Sequence, residues 1–411
     1  MSFAALWESL LPLGRDAGTG GYRRFSWTAA DAECRRWFLH EAAERNLRAI
    51  TDRNGNLWAW WDPPGTAVSA AAGTGAVVTG SHLDSVPDGG AYDGPLGVVT
   101  AFAAIDVLRG QGKVPVRPLA VAAFCEEEGA RFGVACLGSR LLAGAIEPAR
   151  ARALADSGGT TFAGAMTAAG QDPAALGPDQ ALVAGIGAYV ELHIEQGRAL
   201  ADLGAAIGVA ERIWPHGRWR LTFTGRADHA GTTRLGDRRD PMLAAATTIL
   251  AARGAAARHG SLATIGKLIA EPGAVNAISS SVTAWLDARA PDEARLHAVV
   301  DDVLTQARTA AVAHGVDAGC AQESVTPAVD FDAALRDRMV ATLAAAGIRA
   351  PVLPTGAGHD AGVLAARVPA GMLFVRNPTG VSHSPAEHAE PGDCATGVTA
   401  LAAVLGDLAC R

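Results

Sequence analysis

Hydrophobic and polar residues alternate in two different ways along the chain. In the first half, short apolar runs at 76–82, 117–124 and 188–194 alternate with helical patterns at 28–47 and 95–108. Continuous apolar runs of this length are typical of strands buried on both faces. Their alternation with helices predicts an α/β fold with a mainly parallel sheet.

The pattern changes near residue 212. The stretch 219–225 alternates apolar with polar residues, as a half-exposed antiparallel strand does. The segments that follow predict the order β-α-β-β-α-β, typical of a small α+β domain: a helix at 240–258, strands at 263–270 and 281–289, a helix at 292–313 and a strand at 319–326.

The α/β character returns after residue 328, with an apolar strand at 371–377 and a helix at 392–409. We therefore predict a catalytic domain in two segments, 1–211 and 328–411, interrupted by an inserted domain at 212–327. The Ala/Gly-rich stretch 151–186 is expected to be loop-rich.

Composition narrows the classes of partner. The chain has 35 basic and 42 acidic residues, a net charge of −7, which argues against a nucleic-acid or anionic-membrane surface. Neither a secretion signal nor an apolar run of membrane-spanning length is recognised, so a cytoplasmic location is expected. The six cysteines form no CxxC pair and are expected to be reduced thiols.

Three candidate residues lie in the segment GSHLDSVPDGGAYDG (80–94). His82 and Asp84 follow an apolar strand, and ligand sites in open α/β sheets lie at that end. His82 can bind a metal while Asp84 holds its other ring nitrogen. Asp93, in a glycine-rich loop, can approach two ions. An Asp- and Gly-rich surface turn is the alternative.

A second candidate segment is FCEEEGARFG (124–133), also at the end of an apolar strand. Consecutive glutamates there need a positive partner, which a metal would supply. Glu128 suits a ligand and Glu127 a general base. A solvated acidic turn is the alternative.

Two further segments add histidines. His193 lies in the strand YVELHIEQG, where a satisfied core histidine is the alternative, and Gln196 follows it. His383 lies in NPTGVSHSPAEHAE, with His388 as its rival. Histidine and carboxylate ligands suit two divalent ions of the zinc, manganese, cobalt or nickel type.

Other residues suggest substrate binding. His229 in GRADHAGTT can stabilise an oxyanion, and Arg289, with Asn276 upstream, can bind a carboxylate through two hydrogen bonds. A surface ion pair is the alternative for Arg289. The loop TGAGHDAG (355–362) offers backbone N–H groups near Gly358 to an anion and lacks a phosphate-loop signature.

The motifs GSHLDSVPDGGAYDGPLG, EEEGARFG, ELHIEQG, DHAGTT and SHSPAEHA, in this order, resemble the peptidase-M20-type amidohydrolases. The resemblance points to the branch with N-carbamoyl-L-amino-acid amidohydrolase, allantoate amidohydrolase and β-ureidopropionase, over roughly residues 20–405. The sequence departs from the family's pattern at Arg234-Leu235 and at Ser279-Ser280, both in the insert. These departures concern which substrate is preferred.

The resemblance implies a role for each candidate residue. It makes Asp93 the bridging member of the metal ligands His82, Asp93, Glu128, His193 and His383. It makes Glu127 the general base and Asp84 the residue that orients His82. It assigns substrate binding to Gln196, His229, Asn276, Arg289 and Gly358. It further implies a homodimer through the insert, with His229 and Asn276 reaching the second subunit's active site.

The sequence thus predicts a two-metal amidohydrolase for a small ureido carboxylate, either allantoate or an N-carbamoyl-L-amino acid. Three alternatives stay open. They are an aminoacylase or dipeptidase of the same fold, a cysteine amidase using Cys125, and a non-catalytic binding protein on a hydrolase scaffold.

Overall fold

The computed structural model describes residues 2–65 and 75–411 and divides the chain into two compact units. The first unit comprises Met1–Glu211 and Asp330–Arg411, and the second comprises Arg212–Val329. The chain therefore leaves the first unit once and returns to it once.

The described residues form thirteen α-helices and fifteen strands. The helices are α1 Phe3–Leu10, α2 Ala29–Glu44, α3 Pro95–Gly110, α4 Leu137–Ala143, α5 Pro148–Ala153, α6 Phe162–Ala168, α7 Gln180–Gly185, α8 Ala199–Leu203, α9 Pro241–His259, α10 Glu293–Ala313, α11 Ala333–Ala345, α12 Asp360–Leu364 and α13 Pro391–Ala409. The strands are β1 Arg48–Thr51, β2 Leu57–Trp61, β3 Ala76–His82, β4 Leu119–Phe124, β5 Ile186–Ile194, β6 Ile207–Ile213, β7 His216–Thr224, β8 Asp228–His229, β9 Leu262–Glu271, β10 Ala277–Ile278, β11 Ser281–Arg289, β12 Asp317–Thr326, β13 Val329–Asp330, β14 Val352–Thr355 and β15 Ala370–Val375.

The first unit is built on a nine-stranded mixed sheet in the order β1-β2-β4-β3-β5-β15-β6-β13, with β14 paired to β6. Its four central strands, β4, β3, β5 and β15, run parallel. The flanking pairs β1–β2, β2–β4 and β15–β6 are antiparallel. The α/β fold with a largely parallel centre is confirmed, and the antiparallel flanks are a feature that the apolar runs did not indicate.

The central strands are buried along their length, which explains their near-continuous apolar sequences. Every residue of β3, β4 and β15 is buried. Helices α3 and α13 pack against each other and contribute to the same apolar core. A smaller core lies around Phe132, Leu141 and Phe162, under short helices. The stretch 151–186, expected to be loop-rich, contains α6 and α7. Phe162, Ala165 and Met166 of α6 belong to the smaller core, and this packing stabilises that short helix.

Helix α2 shows how local chemistry fixes an element. The Thr28 hydroxyl accepts from the backbone N–H of Asp31, and the Asp31 carboxylate accepts from the N–H of Trp27. The first of these bonds satisfies the N–H of Asp31, in the first turn of the helix, and the second satisfies the N–H of Trp27, which directly precedes the N-cap residue Thr28. Trp37 and Phe38 then lie on the buried face.

The second unit contains a four-stranded antiparallel sheet in the order β12-β7-β11-β9, with a two-stranded ribbon of β8 and β10. Helices α9 and α10 pack on one face of the sheet. Leu221, Phe223 and Leu286 lie in the core of this unit. The predicted β-α-β-β-α-β order is present, with the ribbon as an addition.

One helix in the described ranges, α13, is long and apolar enough by length and composition to cross a membrane. The mean hydropathy of its most apolar window is 1.2, and 61% of that window is buried inside the protein. A core helix of a soluble domain has the same properties.

Candidate metal centre

The candidate ligands of the first unit come from the carboxyl ends of neighbouring parallel strands and the loops that follow. His82 is the last residue of β3, and Glu127 and Glu128 follow β4. His193 is the last residue but one of β5. Parallel strands bring their carboxyl ends to one edge of a sheet, so these side chains converge although they are far apart in sequence.

Asp93 lies at the centre of this cluster. Its Oδ1 is 3.2 Å from Nε2 of His193 and 3.6 Å from Nε2 of His82. Its Oδ2 is 3.4 Å from Nε2 of His383, and that nitrogen is 3.6 Å from Oε2 of Glu128. The carboxylate therefore faces two different sets of ligands with its two oxygens.

The side chains form two groups that each could hold an ion. His82, Asp93 and His193 form one group, and Asp93, Glu128 and His383 form the other, with the ligand atoms of each group within 4.8 Å of one another. Asp93 belongs to both. Four of the five side chains are at most 7% exposed, whereas the His383 side chain is 51% exposed.

The donor chemistry fits divalent cations. Imidazole nitrogens and carboxylate oxygens are ligands of zinc, manganese, cobalt and nickel. Oε1 of Glu128 is buried and has no hydrogen-bond partner among residues 2–65 and 75–411. A cation would satisfy this oxygen, and a shared carboxylate suits two ions held close together.

The electrostatics of the cluster follow from burial and from mutual contact. Burial acts to raise the pKa of Asp93, but hydrogen bonds with His193 and His82 outweigh it and hold that pKa well below its usual value. Burial raises the pKa of Glu127 well above its usual value, and burial with the charge of Asp93 does the same to Glu128. A group of carboxylates this deeply buried requires positive charge beside it.

Asp84 ties the two strand ends together. Its carboxylate accepts hydrogen bonds from the backbone N–H groups of Glu127 and Glu128, each at 3.1 Å. Nδ1 of His82 lies 3.1 Å from the Asp84 carbonyl oxygen and 3.6 Å from its carboxylate. Asp84 thus contacts both His82 and the segment that carries the glutamates.

Glycine is required at position 94. Gly94 has φ +82°, and a Cβ atom there would lie 2.4 Å from the ring of His82. Non-glycine residues with positive φ also occur at the site, at Glu126, Cys136 and His383. Such conformations are strained, and surrounding contacts must maintain them.

The remaining candidates fall into two sets. In the first unit, Nε2 of Gln196 donates to Oδ2 of Asp93 at 2.8 Å, so Gln196 lies within the cluster. Gly358 directly precedes His359, whose ring centroid is 4.5 Å from that of His193. The half-exposed His388 instead pairs with Glu390 at 3.3 Å.

The second unit carries the other three candidates. His229 lies in β8 and Asn276 directly precedes β10, and both are exposed. The N–H of Ala230 donates to the Asn276 carbonyl at 3.0 Å, so the two residues are neighbours. Arg289 ends β11, and its Nε donates to the Asp287 carboxylate at 2.9 Å. The ion pair that the sequence left open for Arg289 is therefore present.

Two residues at the cluster were not singled out from the sequence. His359 is buried, and burial together with the charge of His193 holds its pKa well below its usual value. Glu387 accepts from the backbone N–H groups of Tyr92 and Asp93, and so holds the loop that presents Asp93. The His-Asp pair after Gly358 was an available signal for His359, whereas the sequence around Glu387 gives no sign of its contact with Tyr92 and Asp93.

The cysteine alternative meets a physical obstacle. Cys125 is buried, and burial raises the pKa of its thiol well above the usual value. A nucleophilic cysteine needs a lowered pKa and access to substrate.

Together, the α/β sheet and the paired groups of histidines and carboxylates at its edge define a metal-dependent hydrolase. Comparison with known proteins gives the family. Residues 78–407 match the model of Peptidase family M20/M25/M40, and the chain belongs to this family.

Curated relatives and a solved structure support this family membership. The chain is 36% identical to an N-carbamoyl-L-amino acid amidohydrolase of Geobacillus stearothermophilus, covering 98% of both chains. It is 34% identical to an allantoate amidohydrolase of Escherichia coli K12, covering 95% of this chain and 93% of the relative. The crystal structure of AtUAH in complex with (S)-hydroxyglycine superposes with a TM-score of 0.86 at 31% identity, covering 99% and 96% of the two chains.

Proposed function

We propose that the protein is a metal-dependent amidohydrolase that cleaves the carbamoyl C–N bond of allantoate or an N-carbamoyl-L-amino acid. The observation that carries the proposal is the convergence of His82, Asp93, Glu128, His193 and His383 into two ligand groups that share Asp93. Relatives named for ureido substrates support the choice of bond.

In this proposal those five residues hold two divalent ions. When bound, the ions supply Lewis-acid polarisation of the carbonyl and make water acidic enough to be a nucleophile near neutral pH. Zinc, manganese, cobalt and nickel are the candidates, because histidine and carboxylate ligands accept each of them.

Glu127 is the proposed general base. Its Oε2 lies 3.6 Å from Nε2 of His82, at the edge of the ligand cluster, and its carboxylate is not a member of either Asp93 group. Glu127 takes a proton from the attacking water and returns it to the leaving nitrogen. Asp84 positions it by binding its backbone N–H. The products are ammonia, carbon dioxide and the amino acid or the corresponding allantoate fragment.

Five further residues are proposed to bind the substrate. Arg289 binds the carboxylate through parallel hydrogen bonds, and His229 stabilises the oxyanion. Gln196, Asn276 and Gly358 supply further polar contacts. The Asp287 carboxylate, which accepts a hydrogen bond from Nε of Arg289 at 2.9 Å, orients the guanidinium for this contact.

A homodimer through the second unit is also proposed. Helix α9 presents an apolar stripe to solvent, with Leu243 and Leu250 49% and 75% exposed and seven residues apart. Strand β9, which packs against α9, is an outer strand of its sheet. An exposed apolar stripe beside a sheet edge is a surface that a second copy can bury. The expected location of this dimer is the cytoplasm.

Turnover assays test the proposal. We expect the purified protein, treated with a chelator and then given Mn²⁺, Co²⁺, Ni²⁺ or Zn²⁺, to lose and regain hydrolysis of allantoate or of N-carbamoyl-L-amino acids. N-acetyl amino acids and dipeptides serve as matched substrates that lack the ureido group. Full activity after metal removal, or turnover confined to the N-acetyl or dipeptide substrates, would contradict it.

A further inference from the structure

A third group of possible ligands lies behind Glu127 and contains no member of the two Asp93 groups. Glu127, Cys136 and Asp360 are all buried, and one ligand atom from each lies within 4.8 Å of the others. The Cys136 thiol donates to Oε1 of Glu127, with Sγ 3.2 Å from the oxygen. This group combines one thiol with two carboxylates.

An independent observation at Asp360 points to a ligand. Its side chain is fully buried, and its Oδ1 accepts a hydrogen bond from the Ser139 hydroxyl. Its Oδ2 is buried without any hydrogen-bond partner in the described part of the chain. A buried carboxylate oxygen without a donor is costly, so this atom favours an additional positive group.

We propose that Glu127, Cys136 and Asp360 form an inhibitory site for a thiophilic divalent cation, such as Cd²⁺ or Zn²⁺, supplied in excess of the two ions that the Asp93 groups hold. A thiolate prefers such ions over Mg²⁺, Ca²⁺ or Mn²⁺, which favour oxygen ligands. Binding releases the thiol proton of Cys136 to solvent and forms the sulfur–metal bond without any change of oxidation state. A water molecule completes a tetrahedral set.

The distances suit such an ion. Zn–S bonds of about 2.3 Å and Zn–O bonds of about 2.0–2.2 Å place neighbouring ligand atoms roughly 3.5 Å apart. The Cys136–Glu127 pair is already at 3.2 Å. The backbone N–H of Cys136 donates to the Glu127 carbonyl, which holds the thiol beside the carboxylate. The ligand atom of Asp360 lies within 4.8 Å of the other two, and a side-chain rotation can shorten this separation.

The inhibition follows from the two-sided position of Glu127. Its Oε2 faces His82, whereas its Oε1 faces Cys136. A cation bound to this carboxylate competes with the proton that Glu127 has to accept. The loss of activity thus rests on the proposed role of Glu127 as general base, whereas cation binding rests on the geometry alone.

Cadmium titration tests the site. Enzyme loaded with two equivalents of Mn²⁺ is titrated with Cd²⁺ while the ultraviolet charge-transfer band of cadmium thiolate and kcat are followed together. The five candidate ligands around Asp93 include no sulfur, so exchange there gives no band. The wild type should gain the band as kcat falls by about 10²-fold or more, the usual worth of a general base.

Variants assign the band to one thiol. Cys136→Ser should abolish it, whereas the matched control Cys320→Ser, which changes an exposed cysteine, should keep both the band and the inhibition. Asp360→Asn should weaken Cd²⁺ binding at least tenfold. A wild-type crystal grown with Cd²⁺ gives a readout that does not depend on folding of the variants, through an anomalous peak beside Sγ of Cys136.

The outcomes separate the two proposals. No band in the wild type, a band that survives Cys136→Ser, or no anomalous peak beside Cys136 would overturn the cation site. A band that depends on Cys136 while kcat stays unchanged would support the site and overturn the role of Glu127.

Discussion

The two carboxylate oxygens of Asp93 contact different side chains. Oδ1 faces His82 and His193, and Oδ2 faces His383 and Gln196. A side chain in this position cannot be replaced by an amide without loss, because an amide nitrogen donates where an acceptor is required. The whole proposed chemistry depends on this single carboxylate.

A substitution at Glu127 distinguishes the catalytic step from metal binding. Glu127→Gln keeps the shape of the side chain but cannot accept the proton, so we expect kcat to fall by about 10²–10⁴-fold with metal content unchanged. Kinetics and elemental analysis of the same preparation measure both. Glu44→Gln, at the end of α2, is the matched control. Near-normal kcat in Glu127→Gln would remove the residue from the mechanism.

Asp84 offers a second residue-scale prediction. Its two oxygens accept from the N–H groups of Glu127 and Glu128, and an Asn side chain offers only one acceptor. We expect Asp84→Asn to lower kcat by about tenfold or more, since the loss of one buried hydrogen bond to a charged group is worth roughly 1.5–3 kcal/mol. Steady-state kinetics and metal content measure the effect, and unchanged values in both would show that this link is dispensable.

At the scale of elements, the sequence predicted the central strands and the long helices because each has an unambiguous pattern. The strand at 76–82 and the strand at 281–289 match β3 and β11. The antiparallel flanks of the first sheet were not predicted. The short strands β1 and β2 pair as a local hairpin that the apolar runs did not indicate. The directions of β2 against β4 and of β6 against β15 depend on partners far away in the sequence.

Only those site residues that follow a recognisable strand could be predicted from the sequence. Residues that follow apolar strands, such as His82 and Glu127, could be placed at the sheet edge from the pattern alone. Glu387 could not, because its contact with the N–H groups of Tyr92 and Asp93 joins positions nearly 300 residues apart, a separation of 294 for the second pair. The pairing of Cys136 with Glu127 depends likewise on how a loop folds back.

The capping of α2 gives a prediction for one element. Thr28→Ala removes the hydroxyl that accepts from the Asp31 N–H, and we expect the free energy of unfolding to fall by about 1 kcal/mol. Thr28→Ser keeps the hydroxyl and should stay near the wild-type value. Urea denaturation compares the three proteins. Equal stability of the Ala variant would mean that Asp31 alone sustains the helix start.

At the scale of the whole molecule, the proposed dimer makes the last prediction. Leu250→Glu places a charge in the exposed stripe of α9 and should convert the dimer to a monomer, because burying an unpaired charge is costly. Val312→Glu, at an 81% exposed position of α10, is the matched control and should stay dimeric. Analytical ultracentrifugation distinguishes the forms. A wild type that is monomeric at all concentrations would end the proposal.

The point where the chain leaves the first unit lies beside the point where it returns. The backbone N–H of Phe331 donates to the carbonyl oxygen of Glu211 at 3.1 Å. An excision of the intervening 118 residues, Arg212–Val329, leaves ends that a short glycine linker can rejoin. The unit that holds the candidate metal ligands is thus separable from the inserted segment that carries His229 and Arg289.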